Sequence, residues 1–275
     1  MHTDPAVVVG VDGSAQSACA VDWAAADAAR RRRPLRIVHA SLWPVLHAPL
    51  GLPMPLGYER AMREMAGDIA REAVTRATRI APSLDVSTDM PVQQAAAALL
   101  DASRHADLVV VGNRGLGGFT GLLIGSVGVA LATHAVSPVV VVRPGRSPGD
   151  RRAGQVVVGM DGSPDAERAL QLALEQASVR GSGLTAVRAC RRPGDGLDGD
   201  AFAASIAGWA AKYPDVEISQ AVVPGRAAAV LVERSAGAEL LVVGSRGRGG
   251  FTGLLLGSVS QAAIHHAACP VAVVR

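Results

Sequence analysis

Residues 114–127 read RGLGGFTGLLIGSV, and residues 246–259 read RGRGGFTGLLLGSV. The two stretches differ only at Leu116 against Arg248 and at Ile124 against Leu256. An internal repeat is read before anything else, because missing it misassigns the whole fold. The repeat extends well beyond these stretches. Val8-Val9-Gly10-Val11-Asp12-Gly13-Ser14 corresponds to Val157-Val158-Gly159-Met160-Asp161-Gly162-Ser163. Ser137-Pro138-Val139-Val140-Val141-Val142-Arg143 corresponds to Cys269-Pro270-Val271-Ala272-Val273-Val274-Arg275. The openings lie 149 residues apart and the glycine segments 132 apart, so the second copy is 17 residues shorter in its middle. The extra residues of the first copy fall around Trp43–Tyr58, where Pro44, Pro49, Pro53 and Pro55 predict a loop. Two long copies joined by the Pro/Gly/Arg segment Pro144–Gly154 predict tandem domains, 1–145 and 153–275, rather than a solenoid.

Within the first copy, short apolar runs alternate with helical segments. Strands are predicted at Val7–Val11, Leu35–Ala40, Asp85–Met90, Leu108–Gly112 and Val139–Arg143, and helices at Ala15–Arg33, Glu59–Ile80, Gln93–His105 and Ser126–Ala135. The second copy offers strands at Val156–Met160, Leu184–Ala189, Val216–Val222, Leu240–Gly244 and Val271–Arg275. Runs such as LVVVG and VVVV are apolar on both faces, which marks a parallel sheet covered by helices on each side. The expected fold is therefore α/β, with two tandem Rossmann-like doubly wound domains. Ligands in such sheets bind at the carboxyl ends of the strands, where the strand order reverses.

Composition narrows the function. Of 275 residues, 49% are hydrophobic and 19% charged, which excludes a disordered chain. Aromatics are 3%, too few for the stacking platforms of single-stranded nucleic-acid binders, and a net charge of +3 is too small to imply DNA. Lys212 is the only lysine beside 26 arginines. The run Arg30–Arg33 reads as a solvated helix C-terminus complementing the helix dipole. Cys19, Cys190 and Cys269 show no metal-binding spacing and are expected to be reduced, small hydrophobes. No apolar run approaches the roughly 20 residues of a membrane span, and no leader pattern precedes the first strand. The expectation is a soluble, cytoplasmic protein with no nucleic-acid partner.

The chemistry lies in the glycine segments. The spacing is Gly112-x2-Gly115-x9-Gly125-Ser126 in one copy and Gly244-x2-Gly247-x9-Gly257-Ser258 in the other. Each begins at a strand end and finishes at a helix N-terminus, where backbone N–H groups and the helix dipole favour an anion. Neither segment carries GK[ST], so this is no P-loop, and the glycines do not follow the first strand as in a dinucleotide fold. Ser14 and Ser163 read as helix N-caps rather than nucleophiles. His39 aligns with Arg188, which argues against a shared catalytic role, and adjacent His265 and His266 do not share a helix face.

With Asp12 and Asp161 ending the first strand of each copy, the pattern resembles the ATP-binding branch of the universal stress protein family in its tandem form. The resemblance covers nearly the whole chain. It implies a five-stranded parallel sheet of order 3-2-1-4-5 in each domain and one ATP per domain, with Mg2+ as a candidate companion. Under that implied order the apolar strands Val139–Arg143 and Val271–Arg275 are edges, expected to pair with each other within the chain. Carried over by position, it implies nucleotide contacts at Gly10, Val11, Asp12, Ala40, Gly112, Arg114, Gly115, Gly125, Ser126 and Val127. In the second domain the counterparts are Gly159, Asp161, Ala189, Gly244, Arg246, Gly247, Gly257, Ser258, Val259 and Ser260. Asp12 and Asp161 would sit by the ribose, Ala40 and Ala189 would meet adenine through the backbone, and the glycines and serines would cradle phosphates. Gly128 stands where the second copy has Ser260, so the first site is expected to hold phosphate less firmly. Two classes of function follow. One is a stress-response regulator acting through nucleotide-dependent protein partners, with a homodimer as a further expectation. The alternative is a slow ATP hydrolase or adenylyl-transferring enzyme. The absence of a phosphate-bridging lysine or general base in the loop favours the first.

Overall fold

The computed structural model describes residues 5–41, 57–116, 125–144, 154–190, 199–248 and 255–275. Most of the proline-rich stretch, most of the linker and the centres of both glycine segments lie outside the described residues. The chain divides into two compact units. The first is Met1–Leu131 with Ala135–Ser137, and the second is Ala132–His134 with Pro138–Arg275.

The first copy supplies β1 (Ala6–Gly10), α1 (Ala15–Arg31), β2 (Leu35–Val38), α2 (Tyr58–Ile80), β3 (Val86–Asp89), α3 (Ala95–Ser103), β4 (Ala106–Gly112), α4 (Ser126–His134) and β5 (Val139–Val142). In the first unit β1 pairs in parallel with β2 and with β4, and β2 pairs in parallel with β3. The order is thus β3-β2-β1-β4, and the chain changes direction across the sheet between β1 and β4. Val7, Val8 and Val9 of β1 and Leu108, Val109 and Val110 of β4 are almost wholly buried, as strands covered on both faces must be. Helices α1 and α3 both pack against these two strands. Ala20, Ala24, Ala25 and Ala28 of α1 are fully buried. Their small side chains let the helix lie close to the sheet in a core poor in aromatic rings.

The helix ends follow local chemistry. Ser14 caps α1 by accepting the N–H of Ser17. The predicted helix ran to Arg33, but it stops at Arg31 because Arg32 turns left-handed at φ +54°. The arginine run is also less solvated than expected. The Arg31 side chain is 9% exposed and pairs with Asp27 at 3.4 Å and with Asp107 of β4. A planar guanidinium with two carboxylates satisfies the charge that burial would otherwise penalise.

The second copy supplies β6 (Val156–Gly159), α5 (Pro164–Arg180), β7 (Leu184–Cys190), α6 (Gly199–Ala210), β8 (Ile218–Pro224), α7 (Ala227–Arg234), β9 (Leu240–Gly244), α8 (Ser258–His266) and β10 (Val271–Val274). Its strands run β8-β7-β6-β9-β10, the 3-2-1-4-5 order, and all are parallel. β5 completes this second unit by pairing antiparallel with β10, Val141 opposite Val271 and Val139 opposite Val273. The two apolar edges therefore cover each other, as expected. Arg143 donates to the carbonyl of Ile264 near the end of α8, and Arg275 donates to the carbonyl of Thr133 near the end of α4. These cations satisfy carbonyls that a helix C-terminus leaves free.

One strand is displaced from its predicted range. β8 begins at Ile218 rather than Val216, because the N–H of Val216 closes a turn onto the carbonyl of Tyr213 and cannot join the ladder. It continues to Pro224 because β7 extends to Cys190, which pairs with it. No helix among the described residues is long and apolar enough to cross a membrane.

The two copies end their first helix in the same left-handed turn but with different residues. Gly181 closes α5 at φ +62°, where the first copy has Arg32. A non-glycine residue in this region carries a steric cost of roughly 1 kcal/mol. Arg32→Gly is therefore expected to stabilise the protein by about 0.5–1 kcal/mol, read as a raised midpoint in urea unfolding. An unchanged or lowered midpoint would contradict the strain assigned to Arg32.

Candidate functional site

The site of each copy is built on the turn after its first strand. Gly13 and Gly162 stand at φ +84° and +74°, a region that costs glycine nothing. The turn they make brings the preceding aspartate over the following helix. Asp12 Oδ1 accepts the N–H of Ser14 at 3.0 Å, and Asp161 Oδ1 accepts that of Ser163 at 2.9 Å. Ser14 and Ser163 are the N-caps predicted for them.

The second carboxylate oxygen reaches the glycine loop. Asp12 Oδ2 accepts the N–H of Leu116 at 2.8 Å, and Asp161 Oδ2 accepts that of Arg248 at 2.9 Å. The glycine spacing follows from this tether. A Cβ on Gly115 would stand 2.3 Å from Asp12 Oδ2, and one on Gly247 would stand 2.3 Å from Asp161 Oδ2. Gly112 and Gly244 are needed where the loop leaves the strand. A Cβ there would lie 2.8 Å from the backbone of Gln16 or 2.9 Å from that of Asp165. The far end of the loop returns to its start, with Gly125 N–H on Asn113 O and Gly257 N–H on Ser245 O, each at 2.8 Å. Helices α4 and α8 then begin on Gly125 and Gly257, caps without a side-chain acceptor. Their first-turn N–H groups face the strand ends with the positive end of the helix dipole behind them.

A cavity of about 400 Å³ opens here in the first copy and one of about 480 Å³ in the second, both within the range of small-molecule sites. The first is lined by every residue expected there: Gly10, Val11, Asp12, Ala40, Gly112, Arg114, Gly115, Gly125, Ser126 and Val127. The second is likewise lined by Gly159, Asp161, Ala189, Gly244, Arg246, Gly247, Gly257, Ser258, Val259 and Ser260. Each cavity has two halves. One is the glycine loop with its helix N-terminus. The other is an apolar slot that sequence reasoning missed: Val38, Ala95, Leu99 and Val111 in the first copy, and Val187, Ala227, Leu231 and Val243 in the second. The signal was present, since the pairs Ala95/Ala227 and Leu99/Leu231 recur at the same spacing as the glycine segments. Gly10 and Gly159 make room for these leucines, because a Cβ would fall 2.7 Å from Leu99 Cδ1 or 2.6 Å from Leu231 Cδ1.

Other candidates stay apart from the cavities. His39 is buried and its Nδ1 bonds the Val11 carbonyl at 2.9 Å, a tie between strand ends. His265 and His266 are neighbours on α8, and burial lowers the pKa of His265, helped by the charges of His266 and Arg143. All three cysteines are free thiols, and burial pushes that of Cys269 up to about 12, which makes it unreactive. Among the described residues no cluster of three metal-ligating side chains is present.

Two forces act on the Asp12 carboxyl. Burial raises its pKa, but the hydrogen bonds from Ser14 and Leu116 outweigh burial and leave it below its ordinary value. A carboxylate with a depressed folded pKa stabilises the fold above its unfolded value of about 3.9, and that contribution is lost as pH falls through the folded pKa. The stability gap between the wild type and Asp12→Asn, measured by urea unfolding, is thus expected to be full at pH 7 and to shrink toward pH 3. A gap independent of pH would show that the carboxylate charge is not what holds the loop.

Comparison with known proteins agrees with this geometry. The Universal stress protein family profile matches residues 5–143 and again residues 153–275. Universal stress protein Rv2005c of Mycobacterium tuberculosis is 39% identical, over 98% of this chain and 96% of its own. A universal stress protein of Mycolicibacterium smegmatis is 38% identical, over 99% of this chain and 98% of its own. The crystal structure of a universal stress protein from Archaeoglobus fulgidus shares the fold, with a TM-score of 0.76 over 98% of this chain and 96% of its own, at 21% identity. A profile matched twice, in the two stretches that fold alike, shows that this chain belongs to the universal stress protein family as a tandem member.

Proposed function

We propose that each copy binds one molecule of ATP and that the chain serves a stress response by presenting a nucleotide-dependent surface to a protein partner. The observation that carries this reading is the shape of the cavity, repeated in both copies. An apolar slot joins, at the point where the strand order reverses, a glycine loop that opens onto a helix N-terminus without a side-chain cap. A flat, weakly polar base suits the slot, and a polyphosphate suits the loop. Arg114 and Arg246 stand in the loops as candidate partners for phosphate oxygens. Asp12 and Asp161 lie between the two halves, where a ribose hydroxyl would find an acceptor. A Mg2+ ion would meet a single carboxylate in each cavity. It would therefore arrive with the phosphates rather than in a protein cage.

The same lining supports binding without rapid turnover. Among the described lining residues there is no lysine, histidine or glutamate, and both aspartates are engaged by loop N–H groups. Phosphoryl transfer also needs an oriented nucleophile, and the described lining residues offer no unengaged carboxylate, histidine or lysine to orient one. The chain's membership of a stress-protein family supports the biological setting.

The test is extraction of nucleotide from purified protein, followed by refilling with ATP and Mg2+. Two equivalents of ATP per chain are expected, and one each from Ser126→Glu and Ser258→Glu, whose carboxylates would repel phosphate at α4 or α8. Mostly ADP would favour the hydrolase reading. No nucleotide on extraction and none taken up would overturn the proposal.

A further inference from the structure

We propose that the two sites hold nucleotide with unequal strength. The second is a braced, high-affinity polyphosphate site. The first is a weaker site whose filling follows nucleotide concentration. This rests on the nucleotide reading above and adds a regulatory property to it.

The apolar halves of the two cavities match position for position, apart from Val11 against Met160 and Ser17 against Ala166. Most of the base slot is thus common to both sites, and the differences in polar support gather at the loop. In the second copy Ser260 Oγ, in the first turn of α8, stands 2.9 Å from both the Ser245 carbonyl at the stem of the loop and the Gly257 carbonyl at its far end, and its one proton serves the two. Ser245 Oγ donates to Asp165 Oδ2 at 2.8 Å, and the N–H of Arg246 donates to the same oxygen at 3.1 Å. Arg168 pairs with Asp165 at 2.5 Å and offsets its charge. Asp165 does not line the cavity, so it holds the loop from behind without facing the phosphates.

The first copy lacks each of these ties. Gln16 stands at the position of Asp165 and, among the described residues, forms no bond to the loop. Asn113 stands for Ser245, and its Oδ1 is buried without a partner. Gly128 stands for Ser260 and has no hydroxyl. The loops also differ in charge. The residue whose N–H the tethering aspartate accepts is Arg248 in the second copy and the exposed Leu116 in the first. A loop already held in place loses less freedom when a ligand orders it, and the exposed Arg248 beside the cavity raises the positive potential that an anion meets. Two thresholds on one chain follow. At low nucleotide only the second site fills, and the first responds over a higher range.

The experiment is equilibrium titration of the full chain with ATP and Mg2+, using Ser126→Glu to leave only the second site and Ser258→Glu to leave only the first. The second site is expected to bind about tenfold or more tightly, from the added hydrogen bonds and charge. The brace is then exchanged. Gly128→Ser, where an added Cβ meets nothing within 4 Å, is expected to raise first-site affinity about threefold to fivefold. Ser260→Gly should lower second-site affinity by a similar factor, with circular dichroism confirming the fold. The ratio of ATP to AMP affinity should also be larger at the second site and should fall in Arg248→Leu. Equal affinities, a tighter first site, or affinities unmoved by the serine exchange would overturn the inference while leaving nucleotide binding intact. Binding at neither site would overturn the nucleotide reading and this inference together.

Discussion

One carboxylate in each copy joins the two walls of the crevice. Asp12 holds the turn after β1 with one oxygen and the glycine loop after β4 with the other, and Asp161 does the same between β6 and β9. These are the neighbouring strands at which the sheet reverses its order. Among the described residues the tether fixes the loop near its start. With it, the loop is drawn so close to the carboxylate that Gly115 and Gly247 have no room for a side chain. The cavity between loop and sheet is a consequence of that approach.

The surrounding core is shaped to allow it. Strands built from valine and a first helix faced with alanine bring backbone elements close together. Gly10 and Gly159 then admit Leu99 and Leu231 against the strand ends, which forms the apolar wall of each cavity. The same economy of side-chain volume leaves few polar groups inside. Of those buried near the sites, His39 and Ser14 are bonded to backbone.

Duplication lets the chain be compared with itself. Where the copies agree, in the tethering aspartate, the glycine spacing and the apolar slot, the geometry agrees to within about a tenth of an ångström in the tether. Where they differ, the cause is local: Arg32 against Gly181 at a helix end, and Gln16, Asn113 and Gly128 against Asp165, Ser245 and Ser260 behind the loop. The fold and the ligand-facing surface are thus held in common, while the support beneath the loop has diverged.

The sequence by itself determined the repeat, the alternation of strands and helices, the capping serines and the glycine spacing of each loop. These are properties of neighbouring residues: β-branched runs, glycine spacing and turn chemistry act over a few positions and show directly in the order of letters. Tertiary structure alone decided the rest. Leu99 and Leu231 became cavity walls because helix packing carries them to strand ends far away in the chain. Arg31 left the solvent because Asp107 of β4 is brought beside it. Asp165 became a brace because the loop that needs it lies about 80 positions further on and meets it only in the folded sheet. Such pairings depend on which elements become neighbours in space, and no local pattern records that.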